Sequence, residues 1–157
     1  MRLIACDPGL MSGISYVDGS RTHRNVPVAL ELGTMQAIKQ IVRWSEDARV
    51  RTGADVGIVC ENYKQRPGPL SNQPDALHTI GALRYYCWDS DISFLLQTPS
   101  EGKGFGTDAK LKRVGWWDIG MAAYRKGETS HPQAIDAMRH MLKAAVRVGL
   151  VRGEELL

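Results

Sequence analysis

Three acids stand where their chemistry can combine. Asp7 follows the apolar run Leu3-Ile4-Ala5-Cys6, Glu61 follows Val56-Gly57-Ile58-Val59-Cys60, and Asp136 sits early in a C-terminal helical pattern. Each has an ordinary explanation by itself. Asp7-Pro8-Gly9 can be a turn in which the aspartate bonds backbone amides, Glu61 a solvated strand end, and Asp136 a first-turn acid answering the helix dipole. Gathered at one place they mean more, because neighbouring carboxylates raise one another's pKa unless a cation lies between them. An all-oxygen cluster suits magnesium or manganese rather than zinc. Two such ions ~3.5–4 Å apart are the usual device for phosphodiester cleavage, one lowering the pKa of the attacking water and the other stabilising the departing oxygen.

The elements that must position these acids can be read from the pattern. Residues 2–6 form a short buried strand stopped by Asp7-Pro8-Gly9, and Ile14 to Val17 resumes the apolar pattern before the turn Asp18-Gly19-Ser20, so a hairpin follows. Residues 26–32 supply a third strand bounded by Gly33. From Met35 to Val50 the period changes: Met35, Ile38, Val42 and Ala48 mark one helical face, Lys39, Arg43, Glu46 and Asp47 fall on the other, and Thr34 is the expected N-cap. Residues 56–60 are continuously apolar, as in a strand covered on both faces. A proline-rich loop over 62–74, a helix over 75–89 and a strand over 92–96 come next. The glycine-rich basic segment Lys103-Gly104-Phe105-Gly106 then reads as a loop, followed by a short helix from Thr107 to about Trp116. A last helix begins near Pro132 and runs to about Val148, with Ile135, Met138, Leu142 and Ala145 as its core stripe. This order predicts an α/β fold with a mixed sheet of five strands and helices on both faces. Sites in open sheets form at strand ends, so Asp7 and Glu61 emerge side by side if their strands are parallel neighbours.

Composition narrows the class. The chain has 157 residues, 43% hydrophobic and 24% charged, which predicts one globular domain over 1–157. No apolar run approaches the ~20 residues of a membrane helix. The N-terminus turns acidic at Asp7, too early for a secretory signal. Three cysteines, Cys6, Cys60 and Cys87, lie far apart and argue for a reducing cytosol rather than a disulfide or zinc scaffold. The net charge is only +3, yet residues 101–152 hold ten basic side chains against five acidic ones, which predicts either a polyanion partner or a solvated basic surface.

The stretch Ile4-Ala5-Cys6-Asp7-Pro8-Gly9-Leu10-Met11-Ser12-Gly13 resembles the first motif of the RuvC-type Holliday junction resolvases, and Val56-Gly57-Ile58-Val59-Cys60-Glu61 resembles the second. The final helix, with Asp136-Ala137-Met138-Arg139-His140, is similar to the third, nearest to the bacteriophage branch of that family. The resemblance implies an RNase H-like fold, a homodimer, and magnesium-dependent cleavage of branched DNA in which manganese substitutes. It makes Asp7, Glu61 and Asp136 metal ligands. The family's fourth ligand, three residues before the last aspartate, falls here on Gln133, a departure that leaves His131 and His140 as candidates. It also implies basic residues between the last strand and the final helix, which here are Lys103, Lys110, Lys112 and Arg113. The glycines around Lys103 would let the backbone approach a phosphate, and Lys103 or Lys110 would stabilise the transition state. Tyr63 occupies roughly the place of an aromatic that stacks on unpaired bases, and Lys64 and Arg66 in the loop after it are within reach of DNA. Trp116 and Trp117 are expected to pack, and Tyr85, Tyr86 and Trp88 to serve the core or a dimer interface. A phage-like member works in the cytoplasm of a bacterial host.

Two other readings stay open. The same carboxylates would serve an RNase H-like nuclease acting on flaps, forks or RNA. A non-catalytic module that binds branched DNA would explain the absent fourth acid at Gln133 but gains nothing from three retained acids. Sugar-kinase and actin-like ATPases also open with an aspartate and a hairpin, but they need two such domains.

Overall fold

The computed structural model describes residues 1–19, 26–63, 74–127 and 132–156. The strands are β1 (Arg2–Asp7), β2 (Met11–Asp18), β3 (Val28–Gly33), β4 (Val56–Glu61) and β5 (Ser93–Gln97). The helices are α1 (Thr34–Thr52), α2 (Pro74–Asp89), α3 (Pro99–Phe105), α4 (Asp108–Arg113), α5 (Trp117–Ala122) and α6 (Gln133–Arg147), with a short 3-10 turn over Gly153–Leu156. The strands form one mixed sheet in the order β3-β2-β1-β4-β5. β1 runs antiparallel to β2 and parallel to β4, and β4 runs parallel to β5. The five-stranded mixed sheet expected from the element order is therefore the one observed, and β1 and β4 are the parallel neighbours that the placement of Asp7 and Glu61 required.

Alternation along the strands divides the interior in two. Leu3 and Ala5 of β1, Val17 of β2 and Val59 of β4 pack with Leu111, Ile135, Met138, Met141 and Leu142 under α6. Ile4, Cys6, Ile14, Ile58 and Cys60 point the other way, onto Ala37, Ile41 and Trp44 of α1 and Ile80, Leu83 and Cys87 of α2. Among the described residues no helix is long and apolar enough to cross a membrane.

The departures from expectation lie at element ends and between β5 and α6. Thr34 does not cap α1. Gly33 takes the N-cap position without a side-chain bond, and the Thr34 hydroxyl instead donates to the Gly9 carbonyl at 3.1 Å, tying the β1–β2 turn to the helix. The segment read as a glycine-rich loop is the helix α3. Thr98 accepts from the Glu101 amide, Glu101 accepts in return from the Thr98 amide at 2.8 Å, and Pro99 fills the first turn, so the start is fixed by a reciprocal capping box. The short helix expected from Thr107 to about Trp116 is α4, which ends earlier, at Val114-Gly115, where Gly115 has a φ of 76° that favours glycine, and the further helix α5 after it was not expected. Trp116 is buried as expected, whereas Tyr85 and Trp88 lie on the outer face of α2 and are 66% and 78% exposed, so neither is a core residue.

Gly13 in the middle of β2 has no freedom at all. A Cβ there would stand 2.0 Å from the carbonyl oxygen of Gln133, so the first turn of α6 rests directly on the sheet backbone. Gly104, on the outer side of α3, would place a Cβ in open space. Gly13→Ala should therefore cost about 3 kcal/mol by forcing α6 off the sheet, while Gly104→Ala should stabilise α3 by about 0.5–1 kcal/mol. Urea unfolding of the two variants beside the parent checks both signs.

Candidate active site

The pairings across the sheet put five side chains on one transverse row. Asp7 of β1 faces Gly13 of β2, and Gly13 faces Glu31 of β3. On the other side the Cys6–Cys60 pairing brings Glu61 level with Asp7, and Glu61 pairs with Gln97 of β5. α6 crosses over this row. Gln133 sits above Gly13, the Ala134 amide meets Glu31, and His140 meets both Glu61 and Gln97. Asp136, between those contacts, is 4% exposed and Asp7 is 5% exposed.

Two basic side chains close on the acids. The Lys103 ammonium, from α3, lies 2.9 Å from Asp136 Oδ2 and 3.3 Å from Glu61 Oε2. The Arg139 guanidinium, one turn along α6, donates to Asp136 Oδ1 and to Asp108 Oδ1 of α4. His140 is fully buried. Its Nε2–H donates to Glu61 Oε2 at 2.7 Å, and its Nδ1 pairs with the side-chain amide of Gln97 at 3.0 Å. α3 can approach this closely because Gly102 and Gly106 face α6: a Cβ on Gly102 would stand 2.3 Å from the His140 ring, and one on Gly106 would stand 2.6 Å from the Arg139 Cα. These glycines were expected to admit a phosphate. They admit α6 instead.

The charges respond to this crowding. Burial, reinforced by Glu61 and Asp136, pushes the Asp7 carboxyl well above the usual carboxylate range, with Lys103 and Arg139 only partly opposing it. Burial also acts against Glu61, but the His140 hydrogen bond and the Lys103 ammonium outweigh it and hold Glu61 below its ordinary value. Burial works against the Lys103 ammonium too, yet Asp7, Asp136 and Glu61 together raise its pKa. Asp7 is thus the acid whose charge is least compensated, and among the described residues no hydrogen bond or ion pair reaches its carboxylate.

This donor set fits a hard divalent cation: three carboxylates, all oxygen, one of them buried without a partner. Among the described residues no three acid, histidine or cysteine side chains are gathered tightly enough to hold an ion in these rotamers. The groups that could hold one are Asp7, Glu61 and Asp136, and the Lys103 ammonium presently supplies the positive charge between the last two.

The other expected site residues are placed as follows. Lys103 joins the acids, whereas the Lys110 ammonium stacks over the Phe105 ring at 4.3 Å and the Lys112 ammonium over the Trp117 ring at 5.0 Å. Arg113 ends α4 on the surface. Tyr63 is half-buried against the core shared with α1 and α2. Gln133 opens α6 with its backbone on Gly13, and His140 is bonded to Glu61. His131, Lys64 and Arg66 lie outside the described residues. Sequence reasoning passed over Gln97, Glu31 and the Asp136–Arg139 pair. Gln97 ends β5 as Asp7 ends β1 and Glu61 ends β4, and that shared position was the signal available.

No protein-family model and no curated protein sequence matches the chain. Solved structures do. Thermus thermophilus RuvC is similar with a TM-score of 0.58 at 13% identity, over 96% of this chain and 98% of that one. The same protein in complex with a Holliday junction substrate gives 0.58 at 12% identity, over 96% and 97%. Fowlpox virus resolvase, in complex with substrate Holliday junction DNA, gives 0.54 at 10% identity, over 90% and 97%. The chain has the RuvC-type, RNase H-like fold.

A raised Asp7 pKa has a stability consequence. The protonated carboxyl favours folding below the unfolded value, and that contribution is lost as pH rises through the higher folded pKa. At neutral pH the ionised Asp7 therefore opposes folding, and Asp7→Asn should raise Tm by a few degrees in metal-free buffer, a gain that shrinks toward acid pH. Added magnesium should raise the Tm of the parent and leave Asp7→Asn nearly unmoved, as scanning calorimetry with and without EDTA would record.

Proposed function

We propose that this protein is a magnesium-dependent endonuclease that resolves Holliday junctions and other branched DNA by paired nicking. One observation carries the reading: buried Asp7 and Asp136 and half-buried Glu61 lie together at the end of two parallel strands under one helix, with the Lys103 ammonium joining Glu61 to Asp136. Solved RuvC and fowlpox resolvase structures with junction DNA support it through the shared fold.

In this reading Asp7, Glu61 and Asp136 would hold two magnesium ions, replaceable by manganese, with His131, just before α6 in the sequence, as the fourth ligand. Bound there, the ions would supply a water of lowered pKa and charge stabilisation for the departing oxygen. The chain's own residues do the rest. His140 restrains Glu61 Oε2, the same oxygen that Lys103 meets. Lys103, whose side chain is 35% exposed, faces the acids and solvent together, so it can neutralise a phosphate oxygen as charge develops there. Lys110, Lys112 and Arg113 on α4, with Lys64 and Arg66, meet phosphates of the junction arms, while Tyr63 lies beside an unpaired base. Paired nicks need two such sites, hence a homodimer. The phage-like motifs support a site of action in the cytoplasm of a bacterial host.

The test is cleavage of end-labelled DNA in magnesium, comparing a four-way junction, a fork, a flap and a linear duplex of matched sequence. Symmetric paired nicks in the junction, abolished by EDTA and by Asp7→Asn, are expected. Lys103→Ala should slow nicking by about 100-fold with junction binding retained, whereas Lys110→Ala should weaken binding and flatten its salt dependence. Equal cutting of forks and flaps would make it a broader debranching nuclease. Junction binding without any metal-dependent cutting would sink the enzymatic reading.

A further inference from the structure

The acids at the end of the sheet work only if α6 delivers Asp136 to the right place, and α6 is held from an unexpected direction. Its N-cap position is Pro132, which provides no side-chain bond to the free amides of the first turn. The bond comes from β3. Glu31, 2% exposed, accepts from the Ala134 amide through Oε1 at 3.1 Å and from the Arg125 amide through Oε2 at 2.9 Å. One buried carboxylate thus joins the chain that follows α5 to the first turn of α6. Its negative charge also meets the positive end of the helix.

We propose that Glu31 is a positioning residue for the carboxylate site: by capping α6 from the third strand it sets where Asp136 meets Asp7 and Glu61. This rests on the reading of those three acids as a divalent-metal site. The row geometry explains why the effect reaches the site. Glu31 and Asp7 flank Gly13 at one level of the sheet, and Gln133 is pressed against Gly13, so the start of α6 is referenced to the same row that carries the acids. At the far end His140 is fixed by Glu61 and Gln97. Asp136 lies between the two anchors. With Glu31 removed, the first turn of α6 loses its cap while the rest of the helix stays held by the core and by His140, so that turn can shift about Gly13 and carry the Asp136 carboxylate away from Asp7. Each Glu31 oxygen accepts from a backbone amide, one of them in the first turn of α6, and through that turn Glu31 acts on the site.

The experiment compares the parent with Glu31→Ala, Glu31→Gln and Val56→Ala. Val56 is a buried residue at the opposite end of the sheet, paired with Arg2, and serves as a control for stability loss alone. Mn2+ binding is measured by titration calorimetry, and nicking of a four-way junction is followed against Mg2+ concentration. Glu31→Ala should weaken Mn2+ binding about tenfold and raise the Mg2+ requirement by a similar factor, with KM for the junction unchanged. Glu31→Gln keeps an acceptor for Ala134 and should recover most of the affinity. Val56→Ala should lose stability with metal affinity intact. If Glu31→Ala does not fold, Glu31→Asp, whose carboxylate falls one methylene short of the amides, takes its place. Parental Mn2+ affinity in the folded variant, or an equal loss in Val56→Ala, would overturn the proposal. A parent that binds Mn2+ in a Glu31-dependent way yet cuts no junction would overturn the nuclease reading alone, and a parent that binds no Mn2+ would overturn both.

Discussion

Buried like charges are the constraint around which this molecule is arranged. Asp7 and Asp136 are withdrawn from water at one end of the sheet with Glu61 half-buried beside them, and such a group is tolerable only if positive charge and hydrogen-bond donors surround it. Lys103 and Arg139 supply the charge, and His140 supplies a donor. Each comes from a helix, so the electrostatic need becomes a packing need: α3 and α6 must lie close to the strand ends and to each other. The short distance between them is obtained by leaving side chains out, at Gly13 beneath Gln133, Gly102 beneath His140 and Gly106 beneath Arg139.

The compensation is uneven, and the unevenness is chemically informative. Glu61 is held ionised by His140 and Lys103, whereas Asp7, in the same row, is left to burial and the repulsion of its neighbours. A site optimised for folding alone would pair both. Leaving one carboxylate unsatisfied lowers stability, a loss that a bound cation would offset in the proposed reading. The aromatic stacking of Lys110 and Lys112 shows the contrasting arrangement, in which cations are settled on the surface of Phe105 and Trp117 and stay near solvent.

Asp7 and Glu61 were legible because each ends an apolar run that could only be an interior strand, and Asp136 because the stripe Ile135, Met138, Leu142 and Ala145 fixes which side of its helix meets the sheet. The parallel pairing of β1 and β4, which brings the first two together, was only a condition of that reading, and the sheet order meets it. The region between β5 and α6 was misread where local propensity and tertiary packing disagree. Gly102, Gly104 and Gly106 read as loop, yet Thr98-Pro99 with Glu101 is a helix start, and two of those glycines are demanded by α6. Glu31 was hidden for another reason. It sits inside a strand whose inward face is set by pairing with β2, and its partners, Ala134 and Arg125, are distant backbone amides that no side-chain pattern reveals.

The sheet also separates two dry compartments. Leu3 and Ala5 of β1 belong to the layer under α6, while Ile4 and Cys6 belong to the layer over α1 and α2. Contacts that fasten one layer contribute little to the other, so the two need not open together. All the charged groups of the site, Asp7, Glu61, Lys103 and Asp136, lie on the α6 side of the sheet, so a change confined to the α1–α2 layer alters stability without touching their mutual geometry.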